Sequence, residues 1–329
     1  MQHRNLGNSG LLVSRLGIGT MTFGLQTDEA TSHRILDRVH EAGVSFIDTA
    51  DVYPIGGTLE TVGRTEEIIG RWLPGRRDQV VLASKAVGKV GPAPWQQGAS
   101  RKHLIEALHA SLKRLNTDYI DLYQLHWDDA QTPLDETLEA LDSLVRDGKV
   151  RYIGVSNFLA YRLALALGRS DLLGLQRFIS TQPRYSLLFR EIERELLPLA
   201  EEQQLGVIIY NPLAGGLLSG KHQPGQPPTG SRFTLGSVAQ VYQQRYWHER
   251  QFQTVHALQE LAGQWDIDLV TASIAWTLAN PTVTTALIGA SRPEQLEQTL
   301  KAGELQLPAE LKAALDELSH SYRYGDAKR

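Results

Sequence analysis

The chain has 329 residues, of which 33 are basic and 37 acidic for a formal net charge of −4, and 42% are hydrophobic. It carries no cationic block to hold a nucleic-acid backbone or an anionic membrane, and without cysteine it can form no disulfide, thiolate metal site or cysteine nucleophile. Its start, MQHRNLGNSG, has no apolar core of the kind a signal peptide needs, and no run reaches the roughly 18 apolar residues of a bilayer span, so a soluble protein of the reducing cytoplasm is expected.

In chain order, the first dozen residues, with GNSG between short polar-apolar stretches, predict a hairpin closing the floor of a larger fold. SRLGIGT from 14 reads as a first strand. The helix in TDEATSHRILDRVHEAG follows, with Thr27 as cap, Asp28 and Glu29 at the positive end, Ile35, Leu36, Val39 and Ala42 on one face, and Gly43 as stop. SFIDTA from 45 and QVVLASK from 79 are strands. SRKHLIEALHASLKRLN is a helix that starts at Ser100 and buries Leu104, Leu108, Leu112 and Leu115. After the strand YIDLYQLH from 119 comes the helix of TPLDETLEALDSLVRDG, with Thr132 as cap, Pro133 at its first position and Gly148 as stop. VRYIGVSN from 150, FISTQP from 178, VIIYNP from 207 and TTALIGA from 284 complete eight strands.

Strands each returned by a helix are parallel, and eight such units predict an α/β fold of the closed (β/α)8 TIM-barrel type, one domain over 1–329. Successive strand starts lie roughly 28 to 40 residues apart, then about 77 before the last, which places a long loop after strand 7 and leaves extra C-terminal helices beyond the barrel. That loop begins LAGGLLSGKHQPGQPPTGSRF and runs into a helical RQFQTVHALQELAGQ. The terminal SYRYGDAKR is expected to be a mobile tail.

Two glycine motifs mislead. In LGIGTMTFG, Thr22 stands after Gly17 and Gly19 where a dinucleotide-binding turn needs a third glycine, and no helix follows at once. GGLLSGKH has His222 where a P-loop needs Ser or Thr, although a glycine-rich turn with Lys221 and Arg232 can still wrap a phosphorylated ligand. The ten histidines show no ligand spacing with a carboxylate, so no metal site is expected.

The strand ends carry the chemistry. Asp48, Tyr53, Lys85 and His126 close or follow three consecutive strands, and barrel topology brings those ends to one rim. Singly, each has a plain structural use as a turn cap, a loop anchor, a surface charge or a backbone hydrogen bond. Together they make an active-site argument. A carbonyl accepting hydride needs a proton donor, and a phenol of ordinary pKa is sluggish in that role. Lys85, held by Asp48, is expected to lower the Tyr53 pKa, while His126 orients the substrate oxygen. The rival is a Schiff-base aldolase with Lys85 as nucleophile.

FIDTADVY, LASK, YQLH, IGVSNF, TQPRYS, YNPLAGGLLSGK and IGASRPEQL, in this order over nearly the whole chain, resemble the aldo-keto reductase superfamily, in flavour its branch of bacterial reductases and potassium-channel β subunits. The resemblance implies a TIM-barrel reductase of aldehydes or ketones, NADPH as cofactor in preference to NADH, and Tyr53 as proton donor with Asp48, Lys85 and His126 as partners. It implies that Ser156, Asn157 and Gln182 hold the nicotinamide carboxamide and that Tyr210 stacks on the ring. Leu213, Gly215, Leu217, Ser219, Lys221 and Arg232 then fall along the pyrophosphate, and Gly289, Ser291, Arg292, Gln295 and Gln298 at the adenosine end, with Arg292 facing a 2′-phosphate. Thr20, Met21 and Gln26 fall where this branch touches cofactor or substrate. Where many relatives carry Glu-Asn against adenine, this chain has Gln298 and Thr299. Trp95 and Trp127 are expected to wall an apolar substrate pocket with Tyr53 and His126. The channel-subunit branch keeps open a redox-sensing or regulatory role, and the oligomeric state is left open.

Overall fold

A computed structural model of the chain describes residues 1–324. Among the described residues, ten strands and eleven α-helices follow one another in the expected alternation. A hairpin of β1 (His3–Asn5) and β2 (Leu12–Ser14) comes first, and β3 (Leu16–Gly19), α1 (Glu29–Glu41), β4 (Phe46–Asp48), α2 (Arg64–Trp72), β5 (Val81–Ala86), α3 (Arg101–Leu115), β6 (Ile120–Leu125), α4 (Leu134–Arg146), β7 (Val150–Ser156) and α5 (Ala160–Leu173) continue it. The chain goes on with β8 (Ser180–Gln182), α6 (Leu196–Glu202), β9 (Gly206–Ile209), α7 (Ala239–Tyr246), α8 (Glu249–Gly263), α9 (Leu269–Leu278), β10 (Val283–Ile288), α10 (Leu296–Lys301) and α11 (Ala309–Leu318). Strands β3 to β10 close into a barrel in chain order, every neighbour parallel. Parallel closure points every strand's C-terminal end the same way, so a residue ending one strand meets those ending its neighbours.

Two apolar layers hold the barrel. The outer one lies between strands and helices: the leucines of α3 at 104, 108, 112 and 115 and those of α4 at 138, 141 and 144 are all buried there. The inner one lies at the floor, where Leu6 and Val13 of the hairpin meet Phe46, Ala83, Leu122, Ile208 and Leu287 inside the barrel. The hairpin presses tightly on that floor. Gly7 has φ +61°, and a Cβ there would stand 2.5 Å from the Gly206 nitrogen, which makes glycine the residue that fits.

Three local expectations are corrected. Asp28, not Thr27, caps α1, its Oδ1 accepting from the Thr31 nitrogen at 2.7 Å, because the extended residue that begins this helix is one position later. Thr132 does not cap α4. Its hydroxyl donates to Asp129 Oδ2 at 2.7 Å, and Asp129 also takes the Ala99 and Gln131 nitrogens, so one carboxylate organises the whole turn. The tail begins docked rather than mobile: Tyr322 is buried, its hydroxyl shares a hydrogen bond with Thr254 at 2.9 Å, and its carbonyl accepts the Arg190 nitrogen. The remainder of the expected tail, 325–329, lies outside the described residues.

Candidate active site

Asp48 is the hub of the rim. It ends β4, fully buried, and accepts three hydrogen bonds: Lys85 Nζ on Oδ1 at 2.5 Å, and on Oδ2 the side-chain amides of Gln182 at 2.8 Å and Gln124 at 3.1 Å. Lys85 also donates to the Thr49 carbonyl at 3.0 Å, so a buried ammonium has a counter-ion and a second acceptor. That arrangement meets the requirement for keeping a charge inside a protein. Register explains it, since Lys85 lies opposite Gln124 and Ser156 opposite Gln182. Thr20, just after β3, supports the hub from outside through its nitrogen and hydroxyl, both on the Asp48 carbonyl.

Tyr53 and His126 sit at this hub. Lys85 Nζ is 5.3 Å from the Tyr53 ring centroid, and the Tyr53 and His126 rings meet edge to face at 5.7 Å. Trp127 covers His126 at 4.7 Å between centroids. Trp95 is largely exposed, and no ring contact joins it to this group among the described residues. The electrostatic expectation for Tyr53 is reversed. Burial, followed by the Asp48 charge, pushes its phenol well above the ordinary value of 10.0. A phenol in this setting stays protonated and can donate. Burial, then the Lys85 charge, holds His126 well below 6.5, as a neutral imidazole.

The expected nicotinamide residues form one chain of hydrogen bonds. Asn157, at φ +56°, donates from Nδ2 to the His126 carbonyl at 2.9 Å, and its Oδ1 accepts the Tyr210 hydroxyl at 2.7 Å. Ser156 donates to the Gln182 carbonyl at 2.8 Å. Gln182 itself is turned inward on Asp48. After β9 the backbone takes positive φ at Asn211, Ala214, Gly215 and Gly216, and Asn211 Oδ1 accepts the Gly215 nitrogen at 2.6 Å. Leu213 is half-buried beside this turn, Leu217 faces the core, Ser219 donates to the Gly216 carbonyl at 2.6 Å, and Lys221 is exposed.

The insertion after β9 crosses the barrel mouth. Gln26 Nε2 donates to the Gly230 carbonyl at 2.8 Å, and Arg232 reaches Met21 Sδ at 3.7 Å and the Tyr242 hydroxyl at 3.3 Å. Gly236 meets the β4 loop so closely that a Cβ would lie 2.4 Å from the Gly56 oxygen. Buried polar atoms here without a partner among the described residues include His126 Nδ1 and, on the insertion, Ser231 Oγ and Arg232 Nε.

Beyond the strap, a cleft of about 310 Å³ is lined by Gln26, Arg34, Ser291, Arg292 and Glu294 among others. Gln295 Oε1 accepts the Ser291 nitrogen at 2.8 Å, and Gly289 lies at the end of β10. Gln298 is exposed, whereas the Thr299 hydroxyl is taken by the Leu296 carbonyl at 3.1 Å in its own helix. A second cleft, about 340 Å³, lies at the floor beside Arg4, Gln204 and Thr282. No group of three or more potential metal ligands occurs among the described residues.

Sequence reasoning missed four of these residues. Gln124 stands inside YQLH but was given no role, and Arg34 and Tyr242 had no motif around them. The fourth is Asp51, fully buried, with no hydrogen bond to either carboxyl oxygen among the described residues. Burial, then the nearby Glu66 charge, pushes its carboxyl well above 3.8. Glu66 is held by Ser84 at 2.5 Å and Arg114 at 2.7 Å. The available signal was the third acid-or-phenol position in FIDTADVY, absorbed there by its neighbours.

The sequence model of the aldo/keto reductase family matches residues 15–320. An uncharacterised oxidoreductase of Bacillus subtilis, YrpG, is 39% identical across 97% of this chain and 96% of its own length. The protein Tas of Escherichia coli is 36% identical across 98% and 99%. A probable voltage-gated potassium channel subunit beta of Arabidopsis thaliana is 38% identical across 92% and 91%.

Proposed function

The chain belongs to the aldo/keto reductase family, and from that premise we propose that it is an NADPH-dependent reductase of aldehydes and ketones. NADPH, when bound, supplies a hydride to the carbonyl carbon. The observation that carries the reading is the Lys85 ammonium, fixed on Asp48 at 2.5 Å directly under the Tyr53 ring.

Tyr53 keeps its proton through burial and gives it to the carbonyl oxygen as charge develops there, completing the alcohol. Lys85 favours the phenolate that this transfer leaves behind, so its charge acts late, as the proton departs. His126, neutral, directs a ring nitrogen at the same oxygen and orients the substrate. Asp48 keeps the ammonium in place, and Gln124 and Gln182 occupy the carboxylate oxygen that Lys85 leaves free.

For the cofactor, Asn157 and Ser156 with Tyr210 would hold the nicotinamide end. The turn from Leu213 through Gly215 to Lys221, with Arg232 and its open Nε, would meet the pyrophosphate. Ser291 and Arg292 would receive the adenosine end, with Arg34 on the same cleft favouring a 2′-phosphate. Gly289, Gln295, Gln298, Thr20, Met21 and Gln26 would complete the contact. Trp127, through His126, would wall the substrate side.

A panel of aldehydes and ketones, followed by loss of the nicotinamide absorbance with NADPH and with NADH, tests the proposal. Turnover of several carbonyls with NADPH preferred is expected, and absence of turnover with every member would reject it. A second reading, a cofactor-binding redox sensor or regulatory subunit, is favoured by relatives bearing the name of potassium channel β subunits. Tight NADPH binding without turnover would select it. A Schiff-base role for Lys85 is disfavoured by its complete burial and its two hydrogen bonds.

A further inference from the structure

Of the fourteen large hydrophobic side chains left exposed among the described residues, five belong to α5 and the residue before it: Leu159, Tyr161, Leu165, Leu172 and Leu173. Scattered exposed leucines need no explanation, but a third of the total on one helix does. The inner face of α5 already buries Leu163, Ala166 and Leu167 against the barrel. Its outer face should therefore be polar, as it is on α4, where Glu139, Arg146 and their neighbours meet solvent. A helix apolar on both faces is one that is covered on both.

We propose that this face is covered by a second copy of the same chain, through an antiparallel α5–α5 contact about a two-fold axis. Tyr161, Leu165, Gly168 and Leu172 form one stripe, spanning about 60° of the helix circumference. Their spacings are four, three and four residues, the same read in either direction. An antiparallel copy thus sets Tyr161 opposite Leu172 of the second copy and Leu165 opposite Gly168. The second of these pairings sets large against small. Nothing lies within 4 Å of where a Cβ on Gly168 would stand, so the Leu165 side chain of a second copy has room to enter. A two-fold contact demands this self-complementarity, and a stripe evolved for an unrelated protein does not.

The rim suits the contact as well. The charges flanking the stripe are paired within the copy, Arg162 with Asp128 at 3.0 Å, Arg169 with Asp135 at 2.5 Å, and Asp171 with Arg177. No unmatched charge from these pairs is driven into the interface. The patch is of the order of 500 Å² per copy, the size of patch that on a monomer usually has a use. Two of them make about the 1,000 Å² at which a specific interface begins.

Sedimentation of the full chain over a concentration series tests the proposal. The parent protein should move toward a two-copy mass as concentration rises, and Leu165→Glu should weaken association at least tenfold while circular dichroism and melting temperature stay close to the parent. The chain has no cysteine, so a second test is clean: Leu165→Cys copies mixed with Gly168→Cys copies should cross-link to each other on mild oxidation. This arm decides the matter should the charged variant fold badly. A parent that stays monomeric throughout, an association indifferent to Leu165→Glu, or an associated pair in which residues 165 and 168 do not cross-link would each overturn it.

Discussion

Lys85 and Asp48 form a 2.5 Å ion pair whose side chains are 1% and 3% exposed. Pairs this deep add little net stability while intact, yet breaking one leaves a charge in a low-dielectric interior. Asp48→Asn keeps the shape and removes the counter-charge. It should cost about 3–5 kcal/mol of stability, measured by denaturant unfolding, and abolish carbonyl reduction. The double variant Asp48→Asn with Lys85→Met, which strands neither charge, should unfold at a higher denaturant concentration than Asp48→Asn while also lacking activity. A double variant no more stable than the Asn variant would mean that the pair is not the electrostatic hub described above.

Tyr53→Phe deletes one hydroxyl from a ring that packs on His126 and Lys85. NADPH binding, followed by fluorescence, should be within a few-fold of the parent, and turnover should fall by about 10²–10⁴, the usual contribution of a positioned proton donor. Retained turnover would assign the proton to another group, such as His126 or Lys85, which both meet this ring.

Asp51 supplies a test through pH. Its carboxyl is raised well above 3.8 by burial and by Glu66, so the folded state binds this proton more tightly than the unfolded chain does. The stabilisation is complete below the unfolded value near 3.8 and is lost as pH rises toward the raised folded value. Asp51→Asn cannot lose a proton and escapes that loss. Melting temperatures of the two proteins should be similar near pH 4, with the Asn variant gaining on the parent steadily as pH increases. Parallel curves over the whole range would show that Asp51 is not held protonated.

The cleft lined by Arg34 and Arg292 is where the proposed NADPH preference can be tested. In that proposal each cation would offer a charge-assisted hydrogen bond to a 2′-phosphate and would have no such partner in NADH. By titration calorimetry, Arg292→Ala and Arg34→Ala should each weaken NADPH binding by about tenfold or more and change NADH binding little. Equal losses for both cofactors would place these side chains on a part the two molecules share.

The barrel was legible because its causes are local. The spacing of apolar runs, the caps at Ser100 and the stops at Gly43 and Gly148 state where the chain turns, and eight strand–helix units have one way to close without an edge. The four rim residues were legible for the same reason: each ends or follows a strand, and topology alone gathers them. What the sequence could not state was who bonds to whom. Gln124 and Gln182 share Asp48 because register sets them on the same barrel layer, Asn157 reaches Tyr210 across 53 positions, and the strap meets Gln26 from 204 residues away.

The Tyr53 pKa shows the division most plainly. Composition and order determined that a lysine, an acid and a phenol would be neighbours. Only the folded geometry decided that burial and the Asp48 charge dominate the phenol, because desolvation and Coulomb terms depend on burial and distance, neither of which is written in residue order.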